Sequence, residues 1–97
     1  MSPQGRPRLG LKVVTPRSLA VEAEVEDVRL PGLEGELGIL PGHRPLIAAL
    51  GRGRLRYRAG GEEESLSVRG GFADIRPEGV LVFTELSDEG TNDVPPS

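Results

Sequence analysis

The stretch that decides this fold reads Leu30-Pro31-Gly32-Leu33-Glu34-Gly35-Glu36-Leu37-Gly38-Ile39-Leu40-Pro41-Gly42-His43-Arg44-Pro45-Leu46. Its glycines at 32, 35 and 38 stand three apart, which is neither a helical nor a strand repeat. Glu34 and Glu36 flank Gly35, and the chain's single histidine, His43, follows Gly42. Proline and glycine at this density make a helix costly and mark turns joining short extended segments. The stretch is a shaped surface feature.

Outward from it, the same punctuation continues in both directions. Short alternating segments are interrupted by Gly or Pro every eight to twelve residues or so, the pattern of an all-β sandwich or barrel. Strands are expected near residues 9–15, 19–21, 25–30, 36–40, 46–50, 53–58, 64–69, 71–76 and 80–84. No window of a dozen or so residues keeps apolar side chains at helical spacing. The run Val80-Leu81-Val82-Phe83 is continuously apolar, as expected of a strand covered on both faces or closing the core.

One hairpin can be registered from sequence alone. Gly60-Gly61 suits a two-residue turn with positive φ. That turn sets Ala59 opposite Glu62, Arg58 opposite Glu63, Tyr57 opposite Glu64 and Leu55 opposite Leu66. One face then carries Leu55, Tyr57, Leu66 and Val68, with Glu64 its only misfit, and the other carries the arginines and serines. A slip of one residue would turn every apolar side chain toward water, so the register is well specified.

With 97 residues there is room for one small domain, whose limited buried surface makes association with partners a natural stabiliser. Aromatic residues are only 3%, so the core must come from Val, Leu and Ile. Residues 1–7 are expected to fray, residues 8–86 to form the sandwich, and residues 87–97, acidic and ending in Pro95-Pro96-Ser97, to form a disordered tail. A formal charge of -3 argues against a bulk nucleic-acid or polybasic membrane binder. No cysteine is present, which excludes disulfides and thiolate metal sites. No apolar run approaches the ~20 residues of a membrane span, and the N-terminus lacks an apolar signal segment.

The pieces of catalysis are missing. His43 has no nearby nucleophile to activate, and Glu34 and Glu36 sit among turn glycines rather than in an apolar pocket. The glycine spacing is not that of a phosphate loop, and no helix follows it. Asp88, Glu89, Asn92 and Asp93 do not fit a calcium loop. No cofactor or metal is expected. Lys12, the only lysine, lies mid-strand and not at a hairpin tip, which excludes a lysine-bearing carrier domain. Arg52, Arg54, Arg56 and Arg58 form a period-two stripe. It reads either as a solvated face partly neutralised by Glu62 and Glu63, or as a contact for anionic partners.

Residues 34–46 resemble the signature of the epsilon subunit family of the rotary F-type ATP synthase. Companion segments stand in order: Leu11-Lys12-Val13-Val14-Thr15-Pro16, Val28-Arg29-Leu30-Pro31-Gly32, Leu50-Gly51, and Gly70-Gly71-Phe72 leading to residues 80–85. The resemblance implies a small β-sandwich of about ten short strands, without the C-terminal helical hairpin that usually follows in the family. It implies a non-catalytic central-stalk subunit linking the shaft (gamma) subunit to the c ring, so that proton flow through the membrane sector is coupled to ATP synthesis. Glu34, Gly35 and Glu36 then face the c ring, while Pro41, Gly42 and His43 lie near the shaft. With no helical hairpin, inhibition and ATP sensing are not expected. The protein would reach a membrane only through its complex, at the cytoplasmic face of a bacterial plasma membrane, and would bind no nucleic acid. The rival expectation is a free-standing sandwich using its arginine stripe for anionic partners.

Overall fold

A computed structural model describes residues 7–86 of the chain. Most of the expected frayed N-terminus and all of the expected tail, residues 87–97, lie outside the described residues. Nine strands follow one another without a helix: β1 (Leu9–Val14), β2 (Leu19–Val25), β3 (Asp27–Gly32), β4 (Gly35–Ile39), β5 (Leu46–Ala49), β6 (Arg52–Ala59), β7 (Glu62–Arg69), β8 (Phe72–Arg76) and β9 (Gly79–Phe83). They form two sheets, ordered β2-β1-β9-β8-β5 and β4-β3-β6-β7. The chain is an all-β sandwich, as its punctuation predicts.

The alternation of side chains dictates how the sheets meet. Leu9, Leu11 and Val13 of β1 point inward with Ala73, Ile75, Val80 and Val82 from neighbouring strands. Val28, Leu30, Ile39, Leu55 and Val68 answer from the second sheet, all essentially inaccessible to solvent. Each such side chain contributes roughly 1.5–3 kcal/mol on burial, so an aliphatic core suffices without large aromatics. Within the first sheet every pairing is antiparallel except that of β1 with β9, which is parallel.

The β6–β7 hairpin has the register expected from Gly60-Gly61: Leu55 stands opposite Leu66, Tyr57 opposite Glu64 and Arg58 opposite Glu63. Both turn glycines have positive φ, 61° and 83°. Glu64 is exposed on β7, the edge strand of its sheet, while Tyr57 and Ala59 of β6 pack against the core. Glu62, in contrast, lies opposite Ala59 on the inward-facing side, so it does not neutralise the arginine stripe as expected.

Other expectations need correction. β2 does not end at Val21 but continues to Val25. Val21, Ala23 and Val25 face the core side while Glu22 and Glu24 face solvent, so the glutamates belong to the period-two pattern and do not interrupt it. β3 accordingly begins at Asp27, after a corner in which the Glu26 N–H donates to the Arg58 carbonyl oxygen at 2.8 Å. β9 is central in its sheet but covered on one face only: Val80 and Val82 are buried, whereas Phe83 is 37% exposed. After β9 the chain crosses to the edge of the second sheet, where Leu86 bridges Val68. Thr84 fastens the crossing, its hydroxyl donating to the Gly70 carbonyl oxygen at 2.6 Å.

Candidate functional site

The glycine-rich stretch becomes the β3–β4 hairpin and the connection to β5. Gly32 pairs with Gly35, leaving Leu33 and Glu34 as a two-residue turn. Close approach demands glycine at 32, since a Cβ there would lie 2.7 Å from the Gly35 carbonyl oxygen. The tip is anchored below. Leu33 N–H donates to the Ala49 carbonyl oxygen at 3.1 Å, and Gly51 N–H to that of Pro31 at 2.8 Å. Leu33 itself is 68% exposed, so an apolar side chain and a carboxylate, Glu34, stand together at a rigid protruding turn.

Glu36 is two residues further, on the outer face of β4, opposite Pro31. Its carboxylate reaches Arg56 at 4.0 Å, with both side chains well solvated, so this pair adds little to stability. An open groove beside the tip is lined by Leu33, Glu34, Gly35, Leu37, Leu46 and Ala48. Glu34, Gly35 and Glu36 are thus brought together at one end of the sandwich.

Pro41, Gly42 and His43 are placed at the other end. β4 separates the two turns by five residues, on the order of 15 Å of extended chain. Gly42 has φ of 86°, and its N–H donates to the Pro77 carbonyl oxygen of the β8–β9 turn at 2.9 Å. His43 N–H closes the turn onto the Leu40 carbonyl oxygen at 3.2 Å, and its ring Nδ1–H donates to the Arg44 carbonyl oxygen at 2.7 Å. The histidine and the two glutamates do not converge, so an acid–base site built from all three is geometrically excluded. Among the described residues no group of three or more His, Cys, Asp or Glu side chains is placed to hold a metal ion. No helix among them is long and apolar enough to cross a membrane.

The arginine stripe does lie on one face, the outer face of the four-stranded sheet. Arg58 is held between Asp27 at 3.8 Å and Glu63 at 3.6 Å, and Arg54 donates to the Ser65 hydroxyl at 2.9 Å. On the inner side of the same hairpin, burial and then the Glu64 carboxylate push the Tyr57 phenol above its ordinary value.

Sequence reasoning missed a second surface. Leu19, Val14, Phe83, Phe72 and Ala49 are successive cross-strand partners on the outer face of the five-stranded sheet. They form an apolar row across all its strands. The Phe72 and Phe83 rings stack at 5.1 Å with a 34° tilt, and Ile47 nearby is 63% exposed. The only two phenylalanines of the chain thus face outward rather than into the core. The available signal was the uninterrupted run from Val80 to Phe83, whose second apolar face is left open.

Comparison with known proteins agrees with the fold. A family model described as "ATP synthase, Delta/Epsilon chain, beta-sandwich domain" matches residues 8–87. An ATP synthase epsilon chain of Solibacter usitatus (strain Ellin6076) is 40% identical over 80 residues, covering 82% of this chain and 60% of that protein. One from Nitratidesulfovibrio vulgaris (strain DSM 19637 / Miyazaki F) is 44% identical over the same length, with the same coverage. The chain therefore spans about 60% of the length of the curated relatives it matches. Among solved structures, a chain of the Euglena gracilis mitochondrial ATP synthase (OSCP/F1/c-ring, rotational state 1) superimposes with a TM-score of 0.79 at 24% identity. It is covered to 56% of its length by 89% of this chain. A chain from the central stalk/c-ring structure of the Tetrahymena thermophila mitochondrial ATP synthase gives 0.70 at 13% identity, with 93% of this chain covering 75% of that one. These structural matches speak for the fold.

Proposed function

This chain belongs to the ATP synthase Delta/Epsilon chain family through its beta-sandwich domain, and from that premise we propose that it works as a non-catalytic rotor subunit of an F-type ATP synthase. In that role it joins the shaft (gamma) subunit to the c ring and helps to couple proton flow to ATP synthesis. The observation that carries this reading is the division of residues 30–46 into two rigid turns at opposite ends of one small sandwich. A linker between two partners needs two separate faces held at fixed distance, and β4 supplies that spacing.

Glu34, Gly35 and Glu36 form the end that meets the ring. The turn lets backbones approach closely, and the solvated carboxylates can accept hydrogen bonds from a basic loop. Pro41, Gly42 and His43 form the end that meets the shaft. The domain, residues 8–86, would lie at the cytoplasmic face of a bacterial plasma membrane, held there by the complex. None of these groups is arranged to perform chemistry.

The test is co-expression of the chain with the gamma subunit of its own complex, followed by gel filtration at high salt. Co-elution that survives salt is the expected result, and separate elution at all salt concentrations overturns the reading.

A further inference from the structure

Apart from Glu36 at its β4 edge, the outer face of the four-stranded sheet plays no part in the two-ended docking just described, yet it is strongly charged. Arg29 of β3, Arg52, Arg54, Arg56 and Arg58 of β6, and Arg69 of β7 all lie on it. The register twice sets like charges directly opposite one another, Arg29 against Arg56 and Arg52 against Arg69. Directly opposed like charges disfavour a ladder, so an anion above them relieves a repulsion built into the fold.

The acids on this face are not evenly spread. Asp27 and Glu63 both serve Arg58, and Glu36 serves Arg56 from the edge strand. At the opposite end of β6, Arg52 and Arg69 have no acidic partner within 4.0 Å among the described residues. The bridge of Val68 with Leu86 sets Glu85 beside Arg69 without an ion pair, so a chain of net charge -3 still leaves two neighbouring arginines unpaired by acids at one end of one face.

We propose that this face receives an extended acidic segment of a partner protein, laid along β6 with one carboxylate over the Arg52–Arg69 pair. Arginines at alternate positions of a strand recur about every 6.8 Å, as do alternate side chains of an extended peptide. Each guanidinium presents a fork matched to a carboxylate. A nucleic-acid strand fits less well, since Tyr57, the aromatic residue of this hairpin, lies on the inner side and leaves no stacking platform. An anionic bilayer fits less well too, because Asp27, Glu36 and Glu63 at the margins repel a charged plane, whereas a single strand passes between them. This surface and the stalk role stand or fall separately, because the gel-filtration test above reads shaft binding and the test below reads this face.

Fluorescence anisotropy of the purified chain provides the experiment, with a labelled heptapeptide alternating threonine and aspartate as probe. A peptide of the same composition with its aspartates contiguous, an oligo-dT strand and phosphatidylserine vesicles serve as rival ligands. The alternating peptide is expected to bind tightest, with affinity falling as salt rises. Arg52→Ser with Arg69→Ser should weaken it about ten-fold, and Arg29→Ser should weaken it less. Lys12→Ser with Arg17→Ser changes the net charge equally outside this face and should leave binding unchanged. All these side chains are solvent-facing, and an unchanged urea midpoint confirms folding. Equal binding by the Arg52/Arg69 variant, equal loss in the Lys12/Arg17 variant, or tighter binding of the oligonucleotide or the vesicles overturns the proposal.

Discussion

The backbone N–H of Gly42 donates to the carbonyl oxygen of Pro77 across 2.9 Å, tying the turn after β4 to the turn between β8 and β9. Residues 35 positions apart in the chain thereby hold the His43 end of the sandwich in one shape. The contact depends on Gly42 keeping a φ of 86°, a region that side chains disfavour by about 1–2 kcal/mol. No atom lies within 4 Å of where a Cβ would sit, so Gly42→Ala should cost about 1 kcal/mol through backbone strain alone. Urea titration measures this. Gly38, whose φ is not positive and whose Cβ would also meet open space, is the control, and Gly38→Ala should cost nothing.

Leu55 connects the arginine-bearing strand to the core and is fully buried. Leu55→Ala should remove about 2–5 kcal/mol, enough to unfold much of a domain of this size at 37 °C. Calorimetry of the variant gives the answer, and a loss below 1 kcal/mol or so would mean that the two sheets pack loosely at this point.

Tyr57 and Glu64 supply a pH signature. The folded phenol keeps its proton to a higher pH than the unfolded one, chiefly because it is partly buried and secondarily because Glu64 stands opposite. The associated stability is fully present below the unfolded value, near pH 10, and is lost as pH rises through the folded value. Ultraviolet titration of the phenolate should therefore show a midpoint above the ordinary one. Glu64→Gln should lower that midpoint but leave it raised, because burial is the larger cause.

Glu36→Lys tests the end proposed to face the ring. The substitution reverses the charge beside Arg56 without touching the core, so the stability measured by urea titration should change by less than about 1 kcal/mol. Attachment to isolated c rings should fall by ten-fold or more in pull-down assays. Undiminished attachment would remove Glu36 from the contact.

The sequence made the β6–β7 hairpin legible residue by residue, because Gly60-Gly61 fixes the turn and the alternation on both sides fixes the register. It was equally informative about the two turns of residues 30–46. Their relation in space was not legible. The His43 turn meets Pro77 only because β5 and β8 pair in one sheet while β3 and β4 pair in the other, a long-range outcome with no local signal. The apolar row was hidden for the same reason: Val14 meets Phe83, and Phe83 meets Phe72, only once distant strands have paired. The full length of β2 is hidden in the sequence because Glu22 and Glu24 look like a break until their outward direction is known.

The parallel pairing of β1 with β9 bears on the order in which the molecule can be made. Of the nine strands β1 leaves the ribosome first, and its neighbour on one side leaves it last. The strands of the second sheet, in contrast, all lie between Asp27 and Arg69 and have their hydrogen-bonding partners available earlier. During synthesis β1 can pair only with β2, presenting an unsatisfied edge of the kind that recruits foreign strands. Its closure waits for residue 83, so contacts spanning almost the whole described chain set the pace of folding. For a domain of this topology, a pause in translation just before β9 is the moment of greatest hazard.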